Sequence, residues 1–220
     1  MNGNPVPEEA LETAGGSDRP GIRDAGRDEI DVARSAEYAL LASLLLRAPD
    51  DGTLERLARM GGGATELGAA HAALADAARA ATAGSVEREY FNLFIGVGPS
   101  EMLPYASYYL TGFLNERPLA RLRGDMQRLG LERAEGRGEP EDHLGTLCEI
   151  MSGCAGGLFD VSIADERDFF VTHLAPWASR CFADLEQVSA QGFYGAVGRV
   201  GRIFIDIETE AFALEVDRSA

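Results

Sequence analysis

The chain has 220 residues, 45% hydrophobic and 25% charged, which fits one soluble globular domain with room for a sizeable core. Its 36 acids outnumber 20 basic residues, all arginine, and a net charge of −16 repels nucleic-acid phosphates and anionic membranes while favouring a basic partner. No apolar run, "YALLASLLL" at 38–46 included, reaches the ~20 residues of a membrane span, and the first residues lack the pattern of a signal peptide, so the expected location is the cytoplasm.

Residues 1–27 are rich in Pro, Gly, Ser and acids, and are expected to form a flexible tail ahead of one domain over 28–220. From Asp28 the positions Val32, Ala36, Ala39, Leu40, Ser43 and Leu44 follow helical spacing until Pro49 and Gly52. Thr53 is a candidate cap for the short "LERLARM" helix, which three glycines end. Leu67, Ala70, His71, Leu74, Ala77 and Ala78 then define one face of an Ala-rich helix. Ser85 is the candidate cap of "VEREYFNLFI", which Gly96, Gly98 and Pro99 close.

The stretch from Gly96 to Pro118 reads as a long ordered loop with a helical turn or two, and loops of that length in a compact domain are usually functional. Leu119, Leu122, Met126 and Leu129 mark the next helix, and a polar link leads to "EPEDHLGTLCEIM" (139–151). Leu144, Leu147, Ile150 and Met151 carry a helix beyond it. Asp165 is the candidate cap of "ERDFFVTHL", Pro176 breaks that helix, and Trp177, Cys181, Phe182 and Leu185 share the face of another. The last helix is expected from about Phe193 to near Glu215. No convincing strand pattern appears, so the predicted fold is all-α, a single helical bundle.

Glu139, Asp142 and His143 invite a catalytic reading, yet Pro140 and the acids also suit an ordinary helix start. A cation is disfavoured near a helix N-terminus, so a neutral His143 that donates and accepts hydrogen bonds is the expectation. No nucleophile elbow, reactive CxxC or phosphate loop accompanies the cluster, and "GVGPSE" (96–101) lacks the lysine and glycine spacing of a nucleotide loop. Metal ligation is unsupported: His143 and Cys148 are five apart, His71 and His173 stand alone, and the odd set Cys148, Cys154 and Cys181 fits neither a zinc knuckle nor a disulfide framework. No cofactor and no metal are therefore expected. His71 is read as structural, and so is His173, where a cation would suit the end of its helix. The tyrosines of "MLPYASYYL" (102–110) cannot all enter one small core, and exposed tyrosines suit peptide recognition.

Phe91, Leu93, Phe94 and Gly96, then Pro104, Tyr105, Ser107 and Tyr109, then Glu139, Pro140, Asp142 and His143 together resemble three ordered motifs of the TorD/DmsD family of redox-enzyme maturation chaperones. The resemblance covers most of the chain after residue 27. It implies an all-helical cytoplasmic chaperone, not an enzyme. Such a chaperone binds the twin-arginine leader of a molybdopterin-containing oxidoreductase precursor and assists cofactor insertion before export. The implied leader-binding residues are Tyr105, Ser107 and Tyr109 on one wall, with Glu139, Pro140, Asp142 and His143 on the other. Ala106 stands where the family often has an acid, and Leu147 where a more polar residue is expected. Partly exposed carboxylates at a groove rim are the expected arginine acceptors, since a buried ion pair is expensive to desolvate. Two further readings stay open: a small helical hydrolase or ligand-binding enzyme with His143 as base and Asp142 as orienter, and a structural subunit of an oxidoreductase complex. The client and the choice between monomer and helix-swapped dimer are not readable.

Overall fold

The computed structural model describes residues 28–96, 100–132 and 138–219. The expected tail over 1–27 and most of the link ahead of Glu139 lie outside the described residues.

Among the described residues ten α-helices follow in chain order: α1 (Glu29–Leu46), α2 (Asp51–Ala58), α3 (Glu66–Ala80), α4 (Ala83–Tyr90), α5 (Ala106–Thr111), α6 (Arg117–Arg128), α7 (Leu144–Ala155), α8 (Ile163–His173), α9 (Ala178–Val188) and α10 (Phe193–Ser219). A π-helical turn, Phe91–Ile95, extends α4, and β pairing among the described residues is confined to an isolated bridge between Tyr105 and His143. The fold is all-α.

Three caps differ from expectation, in each case because the helix begins a turn earlier. Asp50, not Thr53, caps α2 by accepting from the Thr53 amide at 2.7 Å. Thr82 caps α4 in a capping box with Ser85 as its third helical residue. Ser162 caps α8, accepting from the Asp165 amide at 3.1 Å.

Helix α7 is central, buried along most of its length, and lies against α1; α10 packs on α9 and α3. Gly145 in the first turn of α7 allows this approach, since a Cβ there would sit 2.8 Å from the Leu46 side chain. The buried face of α1 is Tyr38, Leu41, Ala42, Leu44 and Leu45, while Val32, Ala36 and Ala39 are exposed, a rotation from the face expected for this helix. In α3 the buried set Ala70, Leu74, Ala75 and Ala78 matches the predicted face closely. Trp177, Phe169, Phe170 and Phe182 are essentially fully buried, each contributing roughly 1.5–3 kcal/mol of apolar burial.

Both isolated histidines bind carboxylates. His71 meets Glu37 of α1 at 2.9 Å, which raises its pKa. His173 is buried against Asp125 at 2.9 Å, and burial pushes its pKa down, so the expected cation at the end of α8 is corrected to a desolvated imidazole joining α8 to α6.

Candidate functional site

The tyrosine segment and the Glu139–His143 segment meet where α5 and α7 begin. The Ala106 amide donates to the Asp142 carbonyl at 3.0 Å, and the Leu144 amide donates to the Pro104 carbonyl at 2.8 Å, forming the antiparallel bridge. Asp142 Oδ2 also accepts from the Ser107 amide at 2.9 Å, so this residue caps α5 from 35 positions away. His143 caps its own helix: Nδ1 accepts from the Gly145 amide at 3.1 Å. Adjacent residues thus secure the starts of two helices.

The cap also fixes the imidazole chemistry. A nitrogen accepting from a backbone N–H carries no proton, which places the neutral ring's proton on Nε2. The Tyr105 ring lies edge-on to His143, centroids 5.1 Å apart, and its hydroxyl donates to Glu139. Burial, then the Glu139 carboxylate, raises the Tyr105 pKa far above the ordinary phenol value, so this hydroxyl remains a donor.

Exposure divides the predicted residues. Tyr105, Tyr109 and Pro140 are half-buried and Glu139 is exposed, whereas Ser107, Asp142 and His143 are buried. The Ser107 hydroxyl accepts from the Glu116 amide at 3.2 Å, tying α5 to the start of α6. Glu141 is buried against Arg123 at 2.8 Å. Of the four acidic and imidazole side chains in the motif, Glu139 alone presents the rim carboxylate expected from the sequence. Asp142 Oδ1 is buried without a hydrogen-bond partner.

Replacing Asp142 with Ala strands the Ser107 amide in the interior and should lower stability by about 1–2 kcal/mol, while Asp142→Asn, which keeps an acceptor oxygen, recovers most of that loss. Urea denaturation reads the difference. An Ala variant as stable as the parent would remove the capping role.

The predicted Tyr109 lies farther along α5, and it was its partners on α9 that the sequence did not reveal. Tyr109, one turn after Tyr105, packs on Trp177 with centroids 5.3 Å apart, donates to Asp184 Oδ2 at 2.9 Å, and has the Arg180 guanidinium 5.7 Å from its ring centre. Burial raises its pKa strongly. Beside it runs a cleft of about 490 Å³ between the 100–112 segment and α9. Asp184 was hidden in the sequence because α9 reads as a core helix; its place seven residues after Trp177, at the edge of the same face, was the available signal. Glu89 was also missed: it accepts from the Phe193 and Tyr194 amides at 3.0 and 2.9 Å and so caps α10.

The three cysteines are buried, and burial pushes the Cys181 thiol up to about 12 and the Cys148 thiol beyond the ordinary thiol range, leaving neither a ready nucleophile. No cluster suited to a metal ion, and no helix long and apolar enough to cross a membrane, occurs among the described residues.

The family model described as nitrate reductase delta subunit matches residues 62–183, spanning both walls of this junction. The chaperone protein TorD of Vibrio cholerae serotype O1 is 27% identical over 126 residues, 53% of this chain and 57% of that protein. TorD of Vibrio parahaemolyticus is 24% identical over 131 residues, 55% and 61% of the two chains. The chain therefore matches less than two thirds of these relatives' length. Among solved structures, one from Archaeoglobus fulgidus assigned to redox enzyme maturation superposes with a TM-score of 0.53 at 20% identity, over 90% of this chain and 99% of that one, a likeness of fold.

Proposed function

Because the chain belongs to the nitrate reductase delta subunit family, which it shares with the TorD chaperones, we propose that it is a maturation chaperone for a redox enzyme. Its client would be the precursor of a molybdopterin-containing oxidoreductase subunit, held in the cytoplasm by its twin-arginine leader until the cofactor is inserted. The protein acts by binding and releasing, without catalysing a reaction.

The observation carrying this reading is the Tyr105–Glu139 pair at the α5–α7 junction: an exposed carboxylate beside a half-buried aromatic ring. A guanidinium is served by both, through charge-assisted hydrogen bonds to the carboxylate and by stacking on the ring. Tyr105, Tyr109, Glu139 and Pro140 form the contact surface, and Ser107, Asp142 and His143 hold that surface in place from beneath. The hydrolase reading is disfavoured because the lone pair of His143 Nδ1 is taken by the Gly145 amide.

Calorimetry with a synthetic peptide of two adjacent arginines followed by a Leu/Ala stretch provides the test. Tyr105→Ala and Glu139→Gln should each weaken binding about tenfold, ~1.4 kcal/mol. Equal affinities for parent and both variants would sink the assignment of this surface. A pull-down that captures the processed enzyme as readily as its precursor would sink the chaperone reading.

A further inference from the structure

Resting on that reading, we infer that the leader's path continues from the α5–α7 junction into the cleft between α5 and α9, where Glu101 and Asp184 receive guanidinium groups and Val188, Leu110, Tyr108 and Leu103 receive apolar residues. These six residues line the cleft of about 490 Å³. A second hollow of about 400 Å³ shares Glu101, Gln187 and Val188 with it and runs on toward the start of α10, so the two form one trough. Each is of a size that accommodates ligand groups, roughly 300–1,000 Å³.

Charge chooses the occupant. Most partly buried carboxylates of this protein already have an arginine or histidine: Glu166 and Glu208 share Arg34, Glu141 has Arg123, Glu37 has His71 and Asp125 has His173. Glu101 and Asp184 have no cation within ion-pair distance among the described residues, although Asp184 is half-buried and holds only the Tyr109 hydroxyl. A carboxylate retains several acceptor sites after one such bond. Arg180 also lines the cleft, but lies against the Tyr109 ring.

Each wall of the trough also carries apolar side chains open to solvent. Tyr108 is 40% exposed, Leu110 44% and Val188 47%, a grouping that water solvates poorly and that nothing in the chain covers among the described residues. Two uncompensated carboxylates interspersed with apolar side chains complement an extended peptide with arginines beside apolar residues, and disfavour an acidic or purely polar one. Tyr109 joins the two regions. It stands one helical turn from Tyr105, which touches Glu139, and itself touches Asp184, so a single peptide can follow that side of α5 from one carboxylate to the other.

The experiment is calorimetry with the same two-arginine, Leu/Ala peptide against Glu101→Gln/Asp184→Asn, Val188→Arg, and Glu55→Gln on α2 as a surface-charge control. Val188 is already solvated, so the arginine variant keeps the fold, and unchanged melting curves verify this. The double variant should bind at least thirtyfold more weakly and Val188→Arg at least tenfold, with the control within twofold of the parent. If parent and trough variants bind alike while Glu139→Gln loses affinity, the trough is overturned and the chaperone reading stands. If the parent fails to bind the peptide, both fall.

Discussion

Arg34→Met is expected to lower stability by about 3–5 kcal/mol, the largest effect of any single side chain considered. Its guanidinium makes a two-pronged contact with Glu208, Nε to Oε1 and Nη2 to Oε2, both 2.8 Å, while Nη2 also reaches Glu166 Oε1 at 2.8 Å and Nη1 reaches Asp31 at 3.0 Å. The Tyr38 hydroxyl donates to Glu208 at 3.0 Å, and the Phe212 ring lies 5.0 Å from the guanidinium carbon. One cation thus ties α1, α8 and α10 together. Methionine fills most of the space but leaves Glu166 and Glu208, side chains only 4% and 2% exposed, without a countercharge. Thermal unfolding should shift down by roughly 6–20 °C. Adding Glu166→Gln and Glu208→Gln should recover much of the loss, because the penalty comes from isolated buried charge.

The deficit should also depend on pH. Burial raises the Glu166 pKa even with Arg34 present, and Arg34 opposes that rise. Without the guanidinium the folded-state pKa climbs further above the unfolded value. A carboxyl in that position binds its proton more tightly when folded, so its favourable contribution is complete below the unfolded pKa and is lost as pH rises through the folded one. Arg34→Met should therefore lag the parent less at pH 5 than at pH 7.5. Equal deficits at both pH values would mean that the lost energy is packing and not charge.

The same cluster shows why parts of the fold were unreadable in the sequence. Periodicity placed α3 and α7 well, since Leu74 or Leu147 is buried for its own apolar character. It misplaced the face of α1 because Tyr38 and Arg34 turn inward to meet a carboxylate more than 160 residues away, information no local window contains. The caps failed for the opposite reason: Asp50 and Thr53, or Thr82 and Ser85, are all good local candidates, and the residues between them, Asp51 and Gly52 or Ala83 and Gly84, give no large apolar signal to choose the first turn. At the site, the motif residues and their pairing across the chain could be read from order and resemblance. What could not be read was that Asp142 points inward to cap α5, since its partner is a backbone amide 35 residues earlier. A polar residue that caps a distant helix looks, in sequence, like one that awaits a ligand.

Gly198→Ala carries the second large expectation, a loss of about 3 kcal/mol, although alanine is the better helix former by about 1 kcal/mol. A Cβ on Gly198 would lie 2.5 Å from the Glu186 nitrogen and 2.8 Å from the Phe182 carbonyl oxygen, both backbone atoms of α9 that no rotamer change can move. A Cβ on Gly195 would lie 2.1 Å from the Ser189 carbonyl oxygen and one on Gly201 2.3 Å from the Phe182 ring, so α10 presents a seam of glycines along which α9 lies. Gly124 on α6 supplies the contrast: it is exposed with nothing within 4 Å, and Gly124→Ala should stabilise by about 0.5–1 kcal/mol. Opposite signs for the same substitution at two helical glycines are what close helix contact requires, and two melts of the same sign would refute it. The seam reaches the proposed peptide path as well, because Asp184 lies between Phe182 and Glu186, the two residues Gly198 touches. Their closeness to α10 therefore sets the position of the carboxylate that would meet the incoming arginine.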